Sequence, residues 1–453
     1  MPRIAIAALS LVLVPSVGLA GGGGDWITFT DETATRLVAD PAVGTMDEEE
    51  KDFAVADLDR DGDPDVVVVR KVPFSSPGGK RNVLFMNENG VMTDRTATLA
   101  IDFLDTTDDR DIALADLNGD GWIDAVTVTT FGEQPRVYMN LGEVDGIWQG
   151  LDWDAKDARI PEFTPQTPKF CSVGVGDVTG DQRPELFFVD YDNGLEDRLL
   201  INDGNGFFTD ETDTRLTALM SDSVFGTDAA ILDIDGDGDN DIIKNNASGM
   251  FPPPGSQAPA VIVLYNSGSG SFDFRQVAYD DAPYMFEPGD FNNDGRIDLF
   301  VVDDLQDSFL LNQGNDMNGR VIWSELPVTQ SPKTEDFGGN TVVADFDLDG
   351  FLDVYVTDVD TDAPGCDRTS VALQNQGNTP NISLIDPLNG GSRSWMPSGT
   401  YDVAILDIDG NGNLDIWAGT CDGHSIFMSP TLLIFEDNFE GGTTAGWDAT
   451  VGQ

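Results

Sequence analysis

The residues with chemistry to offer are aspartates, arranged in a nine-residue signature that occurs seven times. It starts at Asp57 (DLDRDGDPD), Asp116 (DLNGDGWID), Asp177 (DVTGDQRPE), Asp233 (DIDGDGDND), Asp290 (DFNNDGRID), Asp345 (DFDLDGFLD) and Asp407 (DIDGNGNLD). Oxygen donors fall at positions 1, 3, 5 and 9, and glycine at position 6 permits a sharp turn. Calcium takes about six to eight oxygens in a flexible cage, and alternate carboxylates on a tight loop supply most of them. Position 7 varies freely (Asp63, Trp122, Arg183, Asp239, Arg296, Phe351, Asn413), as expected of a residue lending only its backbone carbonyl. An EF-hand needs an acidic residue at position 12 and flanking helices. Position 12 here is Val68, Thr127, Phe188, Lys244, Val301, Val356 or Ala418, and strand-like runs flank each loop. The metal-free alternative is a hydrogen-bonded Asx turn, in which crowded carboxylates repel one another with no cation to offset them.

Elements that could hold these loops follow from the runs around them. The signatures start 59, 61, 56, 57, 55 and 62 residues apart, which is an internal repeat. Before the loop stands FAVA (53–56), IALA (112–115), AAIL (229–232), TVVA (341–344) or VAIL (403–406). After it come VVVV (66–69), AVTV (125–128), LFFV (186–189), LFVV (299–302) or VYV (354–356). Such a pair around a Gly/Asp/Asn turn reads as a β-hairpin. Position 2 is always apolar (Leu58, Leu117, Val178, Ile234, Phe291, Phe346, Ile408), as is the residue after position 9, so both are expected to pack between sheets. A third strand follows, ending in Asn at VLFMN (83–87), RVYMN (136–140), RLLIN (198–202), VIVLYN (261–266), SFLLN (308–312) and VALQN (371–375); the seventh, SIFMS (425–429), ends in Ser429. A fourth is clearest in MTDRTATL (92–99) and FTDETDTRL (208–216). Four short strands repeated seven times predict an all-β, seven-bladed β-propeller of four-stranded blades. FTDETATRL (29–37) is a fourth strand without its first three, and the last repeat lacks a fourth. The N-terminal strand is therefore expected to close the ring in the last blade, covering an edge that would otherwise be exposed.

Composition bounds the setting. The chain has 453 residues, 81 acidic against 24 basic, and a formal net charge of −57. Such a surface repels phosphate backbones and anionic lipid, which argues against nucleic acid as a partner. The first 20 residues read as a secretion signal: Arg3, an apolar run over 4–17, then Gly18-Leu19-Ala20. No later stretch approaches the ~20 apolar residues of a membrane span. The expected organisation is a signal over 1–20, a propeller over 21–435 and a tail over 436–453 that resembles short C-terminal segments of exported bacterial proteins. The expectation is a secreted or cell-surface monomer, with bacterial export the setting.

The Asp-x-Asp-x-Asp-Gly-x-x-Asp loops between strands resemble the FG-GAP/VCBS repeats of integrin α-subunit propellers, over about residues 25–435. That resemblance implies calcium in loops joining strands 1 and 2 of each blade, with partners docking on the opposite face. It implies ligands Asp57, Asp59, Asp61 and Asp65 in the first loop, and Asp116, Asn118, Asp120 and Asp124 in the second. The fourth offers Asp233, Asp235, Asp237 and Asp241; the fifth, Asp290, Asn292, Asp294 and Asp298. The sixth offers Asp345, Asp347, Asp349 and Asp353; the seventh, Asp407, Asp409, Asn411 and Asp415. In the third, Asp177 and Asp181 are joined by Thr179 and Glu185, and Gln182 replaces the turn glycine, so a weak or empty site is expected.

Other groups carry less. Cys366 and Cys421 fall in equivalent strand 2–3 loops of neighbouring blades, where a disulfide is feasible, and Cys171 is expected to be buried. His424, the single histidine, reads as a rim residue. Trp148 and Trp153 could stack on a sugar, although packing is the ordinary reading. Candidate recognition loops are 73–79, 244–260 and 357–370, and sequons begin at Asn246 and Asn381. The expected function is non-enzymatic: a calcium-binding adhesion or protein-interaction module. The alternatives are a calcium-dependent lectin and, behind it, a polysaccharide-processing scaffold. An extracellular protein or glycan would be the ligand.

Overall fold

A computed structural model describes residues 29–44, 49–73, 76–153, 158–163, 169–191, 196–247, 258–303, 306–328, 340–357, 368–385 and 396–430. The signal, the tail, Cys366 and much of the three recognition loops lie outside the described residues. Seven antiparallel sheets follow one another along the chain as the blades of a β-propeller. Blade 1 places Glu50–Ala56, Asp65–Lys71, Val83–Asn87 and Met92–Asp94 side by side. Blades 2 to 6 repeat that order, beginning at Asp109–Ala115, Phe170–Gly176, Ala229–Leu232, Pro283–Gly289 and Thr341–Ala344. In blade 7, Thr400–Leu406, Asp415–Thr420 and Gly423–Met428 are joined by Thr30–Asp31, with Thr30 opposite Met428 and Asp31 opposite Phe427.

The second strands are apolar on both faces because neighbouring blades cover both. Val66, Val67, Val68 and Val69 are all essentially inaccessible, the signature of a strand packed between two sheets. Alternate residues serve alternate seams: Val67 and Val69 face blade 2, whereas Val66 and Val68 face blade 7. All seven position-2 residues are buried, from Leu58 to Ile408, and anchor the loop to the core.

The fourth-strand motif is shorter than its sequence predicts. Phe208–Asp210 is a strand, but Thr212–Arg215 is one helical turn; Met92–Asp94 and Thr96–Leu99 behave alike. The Asp-x-Thr triplet explains the switch. Asp210 Oδ1 accepts from Thr212 N at 3.0 Å and from its hydroxyl at 2.6 Å, and Thr212 Oγ1 accepts from Leu199 N at 2.9 Å. The side chains thereby satisfy backbone groups that a continuing ladder would have used. The same triplet at the N-terminus sets Thr33 Oγ1 to accept from Ile426 N of blade 7 at 2.8 Å. Beyond it, Leu37–Val38 pairs parallel with Met92–Asp94 of blade 1, a contact no sequence pattern signalled. Removal of residues 29–38 strips blade 7 of its outer strand and this cross-blade pairing. We expect the truncated protein to melt at least ~5 °C lower, measured by circular dichroism, since surface and hydrogen bonds are lost together.

One expectation about a single residue needs correction. His424 is not on the rim: it is 4% exposed, Trp417 Nε1 donates to its Nδ1 at 3.1 Å, and Phe53 and Phe85 edge onto the ring. The strand begins at Gly423, so its register turns His424 towards blade 1. Trp148 is packed into the seam of blades 1 and 2 with its indole N–H on Asn140 Oδ1 at 2.7 Å, and offers no face to a sugar. Trp153 lies beneath the Arg136 guanidinium, 4.1 Å from its ring centre. Cys171 is a buried thiol outside any disulfide, while Cys421 is disulfide-bonded. Of the sequons, Asn246 is wholly buried and closed to glycosylation in the folded state, whereas Asn381 is exposed.

Candidate metal centres

Each signature forms the turn between the first two strands of its blade, so all seven loops emerge at one end of the ring. Two backbone positions are left-handed in every loop. Position 6 has φ of +102° at Gly62, +100° at Gly238 and +92° at Gly350, where glycine avoids the steric penalty. Position 4 is left-handed as well, including non-glycine Arg60, Asn293 and Leu348. Gln182 adopts φ +69°, so the third loop keeps the shape despite losing its glycine.

The carboxylates fold the loop around themselves. Position 1 accepts from the N–H of position 6: Asp57 from Gly62 at 3.2 Å, Asp116 from Gly121 at 2.7 Å, Asp407 from Gly412 at 2.7 Å. Position 5 accepts from position 7, as in Asp61 from Asp63 at 2.9 Å and Asp349 from Phe351 at 2.9 Å. Position 9 reaches across the blade. Asp65 takes Leu58 N at 3.0 Å on one oxygen and Asn87 N at 2.9 Å on the other; Asp353 does the same with Phe346 at 3.0 Å and Asn375 at 2.8 Å. The remaining oxygens converge. Four trios could hold a metal ion, their ligand atoms lying within 4.8 Å of one another: Asp57, Asp59 and Asp61; Asp233, Asp235 and Asp241; Asp345, Asp347 and Asp353; Asp407, Asp409 and Asp415.

The other three loops differ for visible reasons. In the second and fifth, Asn118 and Asn292 put an amide in place of a carboxylate, and in the fifth the Arg296 guanidinium contacts Asp294. In the third, Glu185 Oε2 accepts from both Val178 N at 2.9 Å and Thr179 N at 3.2 Å, and Arg183 sits 3.6 Å from Asp181. Burial pushes the position-9 carboxyl up in each case: to about 9 at Asp353, about 8 at Asp65 and Asp241, about 7 at Asp124, Asp298 and Glu185, and about 6 at Asp415. Repulsion from the other loop carboxylates adds to burial, so each group calls for a counter-cation or a proton.

The asparagine ending the third strand ties blades together. Its Nδ2 donates to the position-2 carbonyl of the preceding blade: Asn87 to Ile408 at 3.0 Å, Asn140 to Leu58 at 2.9 Å, Asn202 to Leu117 at 2.8 Å. Asn266 reaches Val178 at 2.7 Å, Asn312 Ile234 at 3.1 Å, and Asn375 Phe291 at 2.8 Å. The sequence displayed the repeated Asn but not its partner, which is 78 to 88 residues away in five cases and 321 for Asn87.

A second acidic feature lines the central channel, a cavity of about 270 Å³ bordered by the first strands of all seven blades. Five residues before the signature stand Asp52, Asp111, Ser172, Asp228, Met285, Asn340 and Asp402, so the register alone sets a ring. Three of the carboxylates accept from the next blade: Asp111 from Val173 N at 2.8 Å, Asp228 from Phe286 N at 3.0 Å and Asp402 from Phe53 N at 2.9 Å. Arg110 lies 3.8 Å from Asp52, and Glu287 adds a fifth carboxylate facing Asp228 and Asp402. Burial raises all five, with Asp228 reaching about 7 and Asp402 about 6.

These features define a class, and comparison with known proteins agrees. The FG-GAP-like repeat family matches residues 57–127, 177–243 and 290–356, so three stretches of this seven-bladed propeller carry FG-GAP-like repeats. Among curated proteins it is similar to cartilage acidic protein 1 of Mus musculus, 28% identical over 204 residues, covering 44% of this chain and 30% of the relative. It is similar also to the Xenopus tropicalis protein of that name, 24% identical over 410 residues, covering 84% of this chain and 58% of the relative. The chain thus spans well under two thirds of either relative's length. Among solved structures, an Agrocybe aegerita lectin that recognises non-reducing terminal N-acetylglucosamine aligns with a TM-score of 0.49 at 16% identity, over 83% of this chain and 86% of that one.

Proposed function

We propose that the chain is an exported, calcium-stabilised propeller that serves adhesion or protein interaction. The observation that carries this reading is the set of four convergent carboxylate trios on one end of a rigid ring. Calcium at that end ties each turn to its blade, which leaves the opposite end, with its longer loops, to meet a partner. The apolar run and small-residue site in residues 1–20 support export, and similarity to a protein named for cartilage fits an extracellular setting. The N-terminal strand, through Thr33 and its pairing with blade 7, acts as the clasp of the ring. Catalysis has no place in this reading.

The partner is a protein surface in this proposal, and binding to cultured cells tests it. The mature protein, labelled and applied in millimolar calcium, should lose binding after the cells are treated with protease and keep it after enzymatic deglycosylation. Loss on deglycosylation, together with a calcium-dependent signal for one sugar class on a glycan array, would make the chain a lectin instead.

A further inference from the structure

We infer, on the reading that the loops bind calcium, that Arg36 positions the metal ligand Asp409 in the seventh loop and so links ion binding to docking of the N-terminal strand. Asp409 belongs to the convergent trio of that loop, with Asp407 and Asp415. Its Oδ2 accepts from Arg36 Nη2 at 3.4 Å, across 373 residues of chain. A carboxylate carries two oxygens, so it can meet a guanidinium and an ion together. The guanidinium is itself held from two other sides. Nε donates to Glu32 Oε2 at 2.9 Å, and Nη1 donates to Gly90 O of blade 1 at 2.9 Å. Glu32 offsets the charge of Arg36, so Asp409 is fixed without a full positive charge set against the ion. Outer partners of this kind orient metal ligands and set their affinity. In the sixth loop the equivalent carboxylate, Asp347, is also held through Oδ2, by Gln374 Nε2 of its own blade.

Blade 3 carries the same clamp without the carboxylate. Residues 29–37 and 208–216 differ at one position, and each forms a short strand followed by one helical turn. Arg215 donates to Glu211 at 2.7 Å and to Gly270 O of blade 4 at 2.9 Å, as Arg36 does to Glu32 and Gly90. A Cβ added at Gly90 would lie 2.6 Å from Arg36 Nη1 and 3.4 Å from Asp409 Cα. One added at Gly270 would lie 2.6 Å from Arg215 Nη1 and 3.3 Å from Thr179 Cγ2. Both arginines therefore come to position 3 of their own blade's loop. In blade 3 that position is Thr179, in a loop with no convergent trio among the described residues; in blade 7 it is Asp409. Arg36 also stands between Thr33, which accepts from Ile426 N, and Leu37–Val38, which pair with blade 1. The clasp and the metal-binding loop thus share one side chain.

Hydrogen–deuterium exchange of the full chain, read by mass spectrometry across a calcium titration, resolves the loops separately. The calcium midpoint for residues 407–415 should rise about tenfold in Arg36→Met. The midpoint for residues 233–241 should not move, and protection of Asp415–Thr420 in saturating calcium reports that blade 7 stays folded. Arg215→Met, which removes the same clamp where no carboxylate meets it, should leave both midpoints in place. Arg36→Lys keeps a charged donor for Asp409 and should recover part of the loss. Reciprocally, chelation should speed exchange of residues 29–38 more in the parent than in Arg36→Met. An unmoved midpoint at 407–415 in Arg36→Met overturns the inference. So does an equal shift at 233–241, an equal shift in Arg215→Met, or a lysine variant as weak as the methionine one. Exchange indifferent to calcium in every loop would instead remove calcium from the reading, and the inference with it.

Discussion

Excess EDTA should lower the melting temperature of this protein by roughly 10 °C or more, and added calcium should restore it. An ion that binds only the folded chain stabilises it by about 2.7 kcal/mol per site at a hundredfold excess over its dissociation constant. Four convergent trios place the total on the order of 10 kcal/mol. For a chain of this size each kcal/mol moves the midpoint by about a degree or two. The effect should shrink as pH falls, because protons then compete with calcium for the loop carboxylates. Magnesium should restore less, because it demands an octahedral shell that a flexible aspartate loop does not impose. A melt unchanged in EDTA, seen by scanning calorimetry on calcium-stripped protein, would remove structural calcium from the account and leave the Asx turns to hold the loops alone.

Neutralising one carboxylate of the central channel should stabilise the protein at alkaline pH and do nothing at acid pH. Asp228 is the best position: burial, then the charge of Asp111, raises its carboxyl to about 7 against an accepted bond from Phe286 N. A carboxyl whose folded pKa lies above its unfolded value near ~4 opposes folding once ionised. The penalty is absent below about pH 4, grows as pH rises, and is complete above about pH 7. Asp228→Asn keeps an oxygen to accept from Phe286 N and deletes only the charge. The variant should therefore match the parent at pH 4 and exceed it at pH 8 by a few degrees, a gain on the order of 1–3 kcal/mol. Asp402, pushed up to about 6 and bonded to Phe53 N, should show the same pattern with the rise ending nearer pH 6. Denaturant titrations at the two pH values supply the comparison, and a variant less stable than the parent at pH 8 would show that the ring needs the negative charge.

The two predictions draw on carboxylates of different legibility. Loop donors can be read directly because a nine-residue turn encloses its own chemistry: Asp57 meets Gly62 and Asp65 meets Leu58 within a few peptide bonds. The channel ring was present in the sequence as an aspartate five residues before four of the signatures, yet nothing local distinguishes Asp228 from a surface aspartate. Only the radial placement of the first strands brings Asp228, Glu287 and Asp402 within range of one another.

The strands were equally uneven. Runs such as VVVV at 66–69 and VLFMN at 83–87 declared themselves because both faces are buried, so apolar residues are continuous. The fourth strand reads longer in the sequence than it is, since Thr suits strands, while Asp and Thr together also suit the caps and turns that end them. His424 was misplaced for a related reason: a histidine next to a loop reads as exposed, and the strand register that turns it inward depends on Gly423 pairing with Thr420.

By itself, then, the amino-acid order determined the repeat, the number of blades and the donor set of each loop, because hairpin turns and alternating burial are settled over ten or so consecutive residues. Tertiary structure decided which loops gather three carboxylates within 4.8 Å, which acids share the channel, and where Asn140 and Asn375 find their carbonyls. The channel and asparagine contacts join residues a full blade or more apart in the chain, and their geometry exists only when seven sheets are packed around one axis.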